Sequence, residues 1–167
     1  MPKISHLLAS IDMKIPALAV LMFLAQFAYA QTPDPELMKA ALHSCQVFSD
    51  TYNNNDPQSL TQLFSEDATL VTDTGVFHGQ ADIGKYQTGL FKVVRFSNHK
   101  ADPIFAYPIG NDGKQFWATG SWSHTVEVQG GKPFDQKGFW SAIIVNDGTG
   151  RDVTQTYNIT PAPAPTQ

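Results

Sequence analysis

The chain has 167 residues, 42% hydrophobic and 16% charged, with a net charge of -4. That length and composition suit one packed core and exclude disorder as the main state. Eleven Lys plus Arg against fifteen Asp plus Glu, with no basic stripe, exclude the phosphate neutralisation on which nucleic-acid binding depends.

Residues 1–30 read as an export signal. Lys3 and Lys14 precede an apolar run from Ile15 to Ala25, and Ala28-Tyr29-Ala30 supplies the small-x-small pattern of a cleavage site. The run is shorter than the roughly 20 residues of a bilayer span, so no stable membrane anchor is expected. Met13-Lys14 could itself open a signal peptide, which leaves Met1 and Met13 as alternative starts. Cleavage after Ala30 would release a periplasmic or secreted chain of 137 residues with nine basic and fourteen acidic side chains. Its one cysteine, Cys45, forms no internal disulfide and falls in a helical apolar pattern, as a small core residue does.

Leu37, Ala41, Cys45, Phe48 and Tyr52 recur at spacings of three and four, which predicts a helix over 36–53 opened by Asp34-Pro35. Asp56-Pro57 caps a second helix over 57–64 carrying Leu60, Leu63 and Phe64. A hairpin follows, from Asp67–Asp73 into Gly75–Gly79. Ile83, Tyr86, Leu90 and Phe91 then mark a third helix over 79–93. Strands are predicted over His99–Tyr107, Gln115–Val128, Phe134–Asn146 and Val153–Thr160, separated by Gly-rich turns at 110–113, 129–132 and 147–150. The closing Pro-rich stretch, 161–167, is expected to leave the sheet as an extended tail. The fold class is α+β, with one domain over 31–160.

This order, with the run Leu63-Phe64-Ser65-Glu66-Asp67-Ala68-Thr69, Gly79 at the start of the third helix and Gly138-Phe139-Trp140-Ser141-Ala142-Ile143-Ile144-Val145, resembles the nuclear transport factor two-like superfamily, and within it the SnoaL-like and ketosteroid isomerase-like bacterial proteins. The resemblance spans about residues 36–160. It implies a cone-shaped fold in which a curved antiparallel sheet and three N-terminal-half helices enclose an apolar pocket, with a homodimer formed through the sheet. It does not imply a reaction, because one fold hosts many chemistries. A steroid isomerase needs an oxyanion Tyr, a neutral carboxylic acid and an Asp base. On this resemblance the Tyr position falls on Phe48, the acid near Trp140-Ser141 and the base on Thr72 beside Asp73, so ketosteroid isomerase activity is not expected.

Polar residues available to a pocket are Tyr52, Asp73, His99 and either Trp117, Thr119 and Ser121 or their alternates Trp122 and His124. Asp73 and His99 would form the minimal catalytic acid/base pair of a cofactor-independent isomerase, dehydratase or hydrolase; alternatively Asp73 caps a turn and His99 begins a surface strand. Phe48, Tyr52, Phe64, Tyr86, Leu90, Trp117 and Trp140 are the expected ligand-binding residues, taking a small hydrophobic molecule. His43, His78, His99 and His124 lack metal-ligand spacing and no phosphate-loop signature occurs. No metal and no cofactor are therefore expected. A binding or assembly module and a cofactor-independent enzyme remain the competing functions.

Overall fold

A computed structural model describes residues 32–163; the export signal and residues 164–167 of the tail lie outside it. Helix α1 spans Pro35–Asn53, and Asp34 caps it by accepting from the Glu36 and Leu37 amides at 2.9 and 3.3 Å. Its inward face carries Ala41, Cys45, Phe48 and Thr51. Helix α2, Pro57–Thr61, is capped in the same way by Asp56. It ends one turn before the predicted limit, because the Leu63 carbonyl accepts from the Thr154 amide at 2.8 Å and draws the chain into the sheet. Phe64 therefore opens strand β1, Phe64–Thr72, rather than closing a helix. Strand β2, Gly75–His78, leads to helix α3, Gln80–Val93.

Strands β3 (Val94–Ile109), β4 (Gln115–Val128), β5 (Phe134–Asn146) and β6 (Asp152–Pro161) complete one six-stranded sheet in the order β2-β1-β6-β5-β4-β3. The sheet is antiparallel except for one pair, since β1 and β6 run parallel. Parallel neighbours need a long crossover, here everything from β2 to β5. The tail begins later than expected: Pro161 sits opposite Gly138, and the Ala162 amide still donates to the Lys137 carbonyl at 2.8 Å. A proline tolerates a strand end because only an interior position demands its missing N–H.

The helices cover one face of the sheet. On that side Phe116, Ala118, Trp122, Trp140, Ala142, Ile144 and Tyr157 join the helical residues in a continuous core. Two indoles organise it. Gly120 is the cross-strand neighbour of Trp140, and Gly138 that of Trp122. A Cβ on Gly120 would stand 2.8 Å from the Trp140 ring, and one on Gly138 would stand 2.6 Å from the Trp122 ring. Each indole thus lies over the glycine opposite it, and each ring N–H donates to the partner strand's backbone, Trp122 to Phe139 and Trp140 to Ser121.

Candidate functional site

The end of α1 fixes the site's first wall. The Asn53 and Asn55 side chains act as a surrogate strand for β3: each amide both donates to and accepts from one β3 residue, Asn53 with His99 and Asn55 with Phe96, at 2.7 to 3.0 Å. Between those residues the β3 register shifts, with Asn98 in the left-handed region at φ 54°. The extra residue breaks strict alternation, so that Phe96, His99 and Ala101 all turn inward. The His99 ring then stacks on Tyr52 at 4.4 Å and 12°. Its Nδ1 lies 3.2 Å from Ser49 Oγ, which also accepts from the Ala101 amide.

Beyond Tyr52, between α1, α3 and the inner face of the sheet, lies a cavity of about 280 Å³. Phe48 and Tyr52 line it from α1, Phe64, Leu70 and Thr72 from β1, and Tyr86, Gln87 and Leu90 from α3. Phe96 of β3, Trp122, His124 and Val126 of β4, Gln136 of β5, and Tyr157 and Ile159 of β6 continue the wall, and the exposed Asp73, Thr74, Val128, Phe134 and Pro161 stand at its open mouth. Among the described residues, Asp73 is the one carboxylate in this lining and no Lys or Arg contributes. A wider groove of about 710 Å³ adjoins it, sharing His124, Gln136 and Pro161 but lined otherwise by polar side chains with Ala162 and Pro163.

Three polar groups in the cavity wall are held uncharged. Burial, and secondarily the Tyr86 phenol, raises the Tyr52 pKa. Burial followed by Tyr52 and Cys45 raises that of Tyr157. Burial lowers that of His124 despite a hydrogen bond to Gln136. That bond, His124 Nε2 to Gln136 Oε1 at 3.3 Å, sets the tautomer. A carbonyl oxygen can only accept, so Nε2 carries the proton and Nδ1 of the neutral ring is a bare acceptor. Nδ1 has no partner, and neither has Gln87 Oε1.

The sequence-predicted residues are partly brought together. Phe48, Tyr52, Phe64, Tyr86 and Leu90 line the cavity. Trp117 does not: in the alternating burial of β4, Phe116 and Ala118 face inward, and Trp117 stacks on Tyr107 at 6.1 Å on the opposite face. Trp140 faces inward but lies outside the cavity lining, stacked on Tyr157 at 6.3 Å. Asp73 and His99 do not meet. Asp73 is exposed in the β1–β2 turn, whereas His99 is buried behind Tyr52, with its pKa lowered to about 3 by burial and by His124. His124 takes the place expected for His99, and its centroid lies 5.6 Å from that ring.

Gln87 and Tyr157 escaped the sequence reading. Gln87 had a legible signal, being a polar residue four positions after Ile83 on the buried side of α3. Tyr157 had none, because its facing depends on the register between β5 and β6, which shifts at Ile143/Ile144. The Cys45 thiol, pushed up to about 12 by burial and by Asp102, is a core group. Among the described residues no cluster of three His, Cys, Asp or Glu is placed to hold a metal ion.

No protein-family model matches the sequence, and no curated protein matches it. Solved structures do match the fold. A ketosteroid isomerase-like protein from Erwinia carotovora atroseptica superposes with a TM-score of 0.66 at 11% identity, covering 77% of this chain and 96% of its own. A scytalone dehydratase-like protein from Novosphingobium aromaticivorans gives 0.65 at 16% identity, covering 75% and 84%. A nuclear transport factor 2-like superfamily protein from Salmonella enterica serovar Typhimurium gives 0.61 at 14% identity, covering 78% and 94%. The chain therefore has the nuclear transport factor 2-like fold, the cone of helices and curved sheet that its sequence resembles.

Proposed function

We propose that this chain binds a small, predominantly apolar molecule in the cavity between α1, α3 and the sheet, and that it does so in the periplasm or outside the cell after loss of residues 1–30. The observation that carries the reading is a cavity of about 280 Å³ walled mainly by aromatic and aliphatic side chains in a core that elsewhere packs tightly enough to seat two indoles on glycines. Interiors are ordinarily close-packed, and an apolar space with few polar groups is the usual form of a ligand site. Trp122 lines the cavity, so titration with biphenyl should change tryptophan fluorescence saturably. Leu90→Trp, which fills the space, should abolish that response in a folded protein. A wild-type protein indifferent to biphenyl would remove the reading and leave an assembly role as the better one. Mass spectrometry of the exported protein tests the compartment: an N-terminus at Gln31 supports it, and a retained leader opposes it.

A second reading, cofactor-independent acid–base chemistry on the bound molecule, is favoured by one feature. His124 lines the cavity with a neutral ring whose covered Nδ1 has no partner and could act as a general base once a ring rotation turns it to the bound molecule. The Asp73/His99 pair has less support, since Ser49 engages the His99 ring away from the cavity lining. Any turnover that survives His124→Gln unchanged would rule this second reading out.

A further inference from the structure

The inner face of the sheet does not stop at the cavity. Directly opposed residues of an antiparallel pair share a face, and so do residues two apart along one strand. Val126 of β4 lies in the cavity wall at 4% exposure. Val128 is therefore on the same face, as are Phe134, the partner of Val126 on β5, and Val94, the partner of Val128 on β3. Along this row exposure climbs to 44% at Val128 and 47% at Phe134. Strand β6 repeats the pattern, with Tyr157 buried, Ile159 half-buried and Pro161 exposed on the same side. The strands thus carry an apolar ledge out through the mouth. It is held in place, since the Gln129 amide in the turn beyond β4 donates to the Val93 carbonyl at the end of α3 at 2.9 Å. Gln136, the polar side chain of this ledge, is engaged by His124 at 3.3 Å. The other polar groups of the lining lie elsewhere: the Tyr52, Tyr86 and Tyr157 phenols on the helices and the deep part of β6, and Thr72, Asp73 and Thr74 at the end of β1, on the far side of β6.

We infer that the bound molecule is longer than the cavity, and that its outer part is an apolar stretch lying along the ledge of Val128, Phe134 and Pro161. This inference rests on the reading that the cavity binds an apolar molecule, and it gives that molecule a shape: elongated, with hydrocarbon at both depths. An apolar cavity of roughly 150 Å³ accepts one benzene, so one of about 280 Å³ holds about two rings, and anything longer must leave through the mouth. Apolar side chains scattered singly over a surface need no explanation. These continue the wall of an open apolar cavity, and covering them removes further apolar surface from water. A second copy of the chain is a poorer occupant, because the ledge offers three exposed side chains against about 20 to 30 residues a side in a stable interface.

Calorimetry with 4-butyl-, 4-hexyl- and 4-octylphenol on the wild-type protein tests it. The butyl compound is about the size of biphenyl and fills the cavity, so the longer chains must reach the ledge whichever end enters first. Expected is a continued gain of roughly twofold per methylene beyond butyl, about half the free energy of full burial because one side of the chain stays in water. Phe134→Ser should remove most of that gain, costing 4-octylphenol far more than 4-butylphenol. Affinity that fails to rise beyond butyl in the wild type overturns the inference while leaving the cavity a binding site; this comparison needs no variant to fold. A gain that Phe134→Ser leaves whole also overturns it. So does a change in the association state of the ligand-free protein on Phe134→Ser, which would make the ledge a contact between copies. Binding of neither biphenyl nor any alkylphenol removes the underlying reading instead.

Discussion

His99 shows how a single ring can set the acid limit of the whole protein. An imidazole in the unfolded chain titrates near 6.5, whereas the folded His99 titrates at about 3 because it is buried and faces His124. Between those values the unfolded chain binds the additional proton, so stability is present above pH 6.5 and is lost as the pH falls toward 3. His124, also lowered, acts in the same direction. Melting temperature followed by circular dichroism should fall steadily from pH 6.5 to 4.5, and His99→Phe, which keeps a ring against Tyr52, should flatten that slope; an unchanged slope would remove His99 from the account. The cross-strand glycines give a second prediction. Gly138→Ala drives a methyl into the Thr160 carbonyl oxygen as well as to 2.6 Å from the Trp122 ring. The resulting overpacking should cost about 1–3 kcal/mol in denaturant unfolding, against little loss for Gly89→Ala on helix α3, where nothing lies within 4 Å of the added methyl. Equal effects would mean that this position in the sheet tolerates a side chain.

Elements explain what the sequence made legible. Strands β4 and β5 run from Gln115 to Val128 and from Phe134 to Asn146 as read, because Gly-rich turns bound them and their pairing is unbroken. Register within the sheet was not legible. Trp117 reads as a pocket residue until β4 is placed, and a one-residue offset is enough to send it to the outer face. The inward turn of His99 depends on the irregularity at Asn98, and nothing local in Ser97-Asn98-His99 announces which residue is the extra one. The Asn53–Asp56 run reads correctly as a helix stop, yet its larger task is tertiary, since Asn53 and Asn55 bond β3 across more than forty residues. Asn53→Ala strips the His99 amide and carbonyl of their partners and should destabilise the fold by about 1–3 kcal/mol. Hydrogen exchange at His99 and Ala101 should quicken more than in β5; uniform exchange would show that Asn53 only ends the helix.

At the scale of the molecule, the sheet face away from the helices carries the stacked series Phe105, Tyr107 and Trp117, together with an exposed Phe139. An aromatic face of this kind is poorly suited to water, and we propose that two copies of the chain pair through it. Sedimentation should give a dimer at micromolar concentration, shifted toward monomer by Trp117→Lys with the helical signal intact. A monomeric wild type would leave the face without this role.

The sheet order also sets when the fold can form. The last strand in the chain, β6, is an interior one, lying between β1 and β5. Until residues 152–161 are available, the β1–β2 hairpin and the β3–β5 meander have no strand to join them, and each keeps an unpaired edge of the kind that invites aggregation. A chain ending at Asn146 should accumulate as insoluble material rather than as a smaller folded domain. Ordering therefore waits for β6, with pairings far apart in sequence that slow folding. A chain still being synthesised keeps its two half-sheets unjoined until β6 emerges between them.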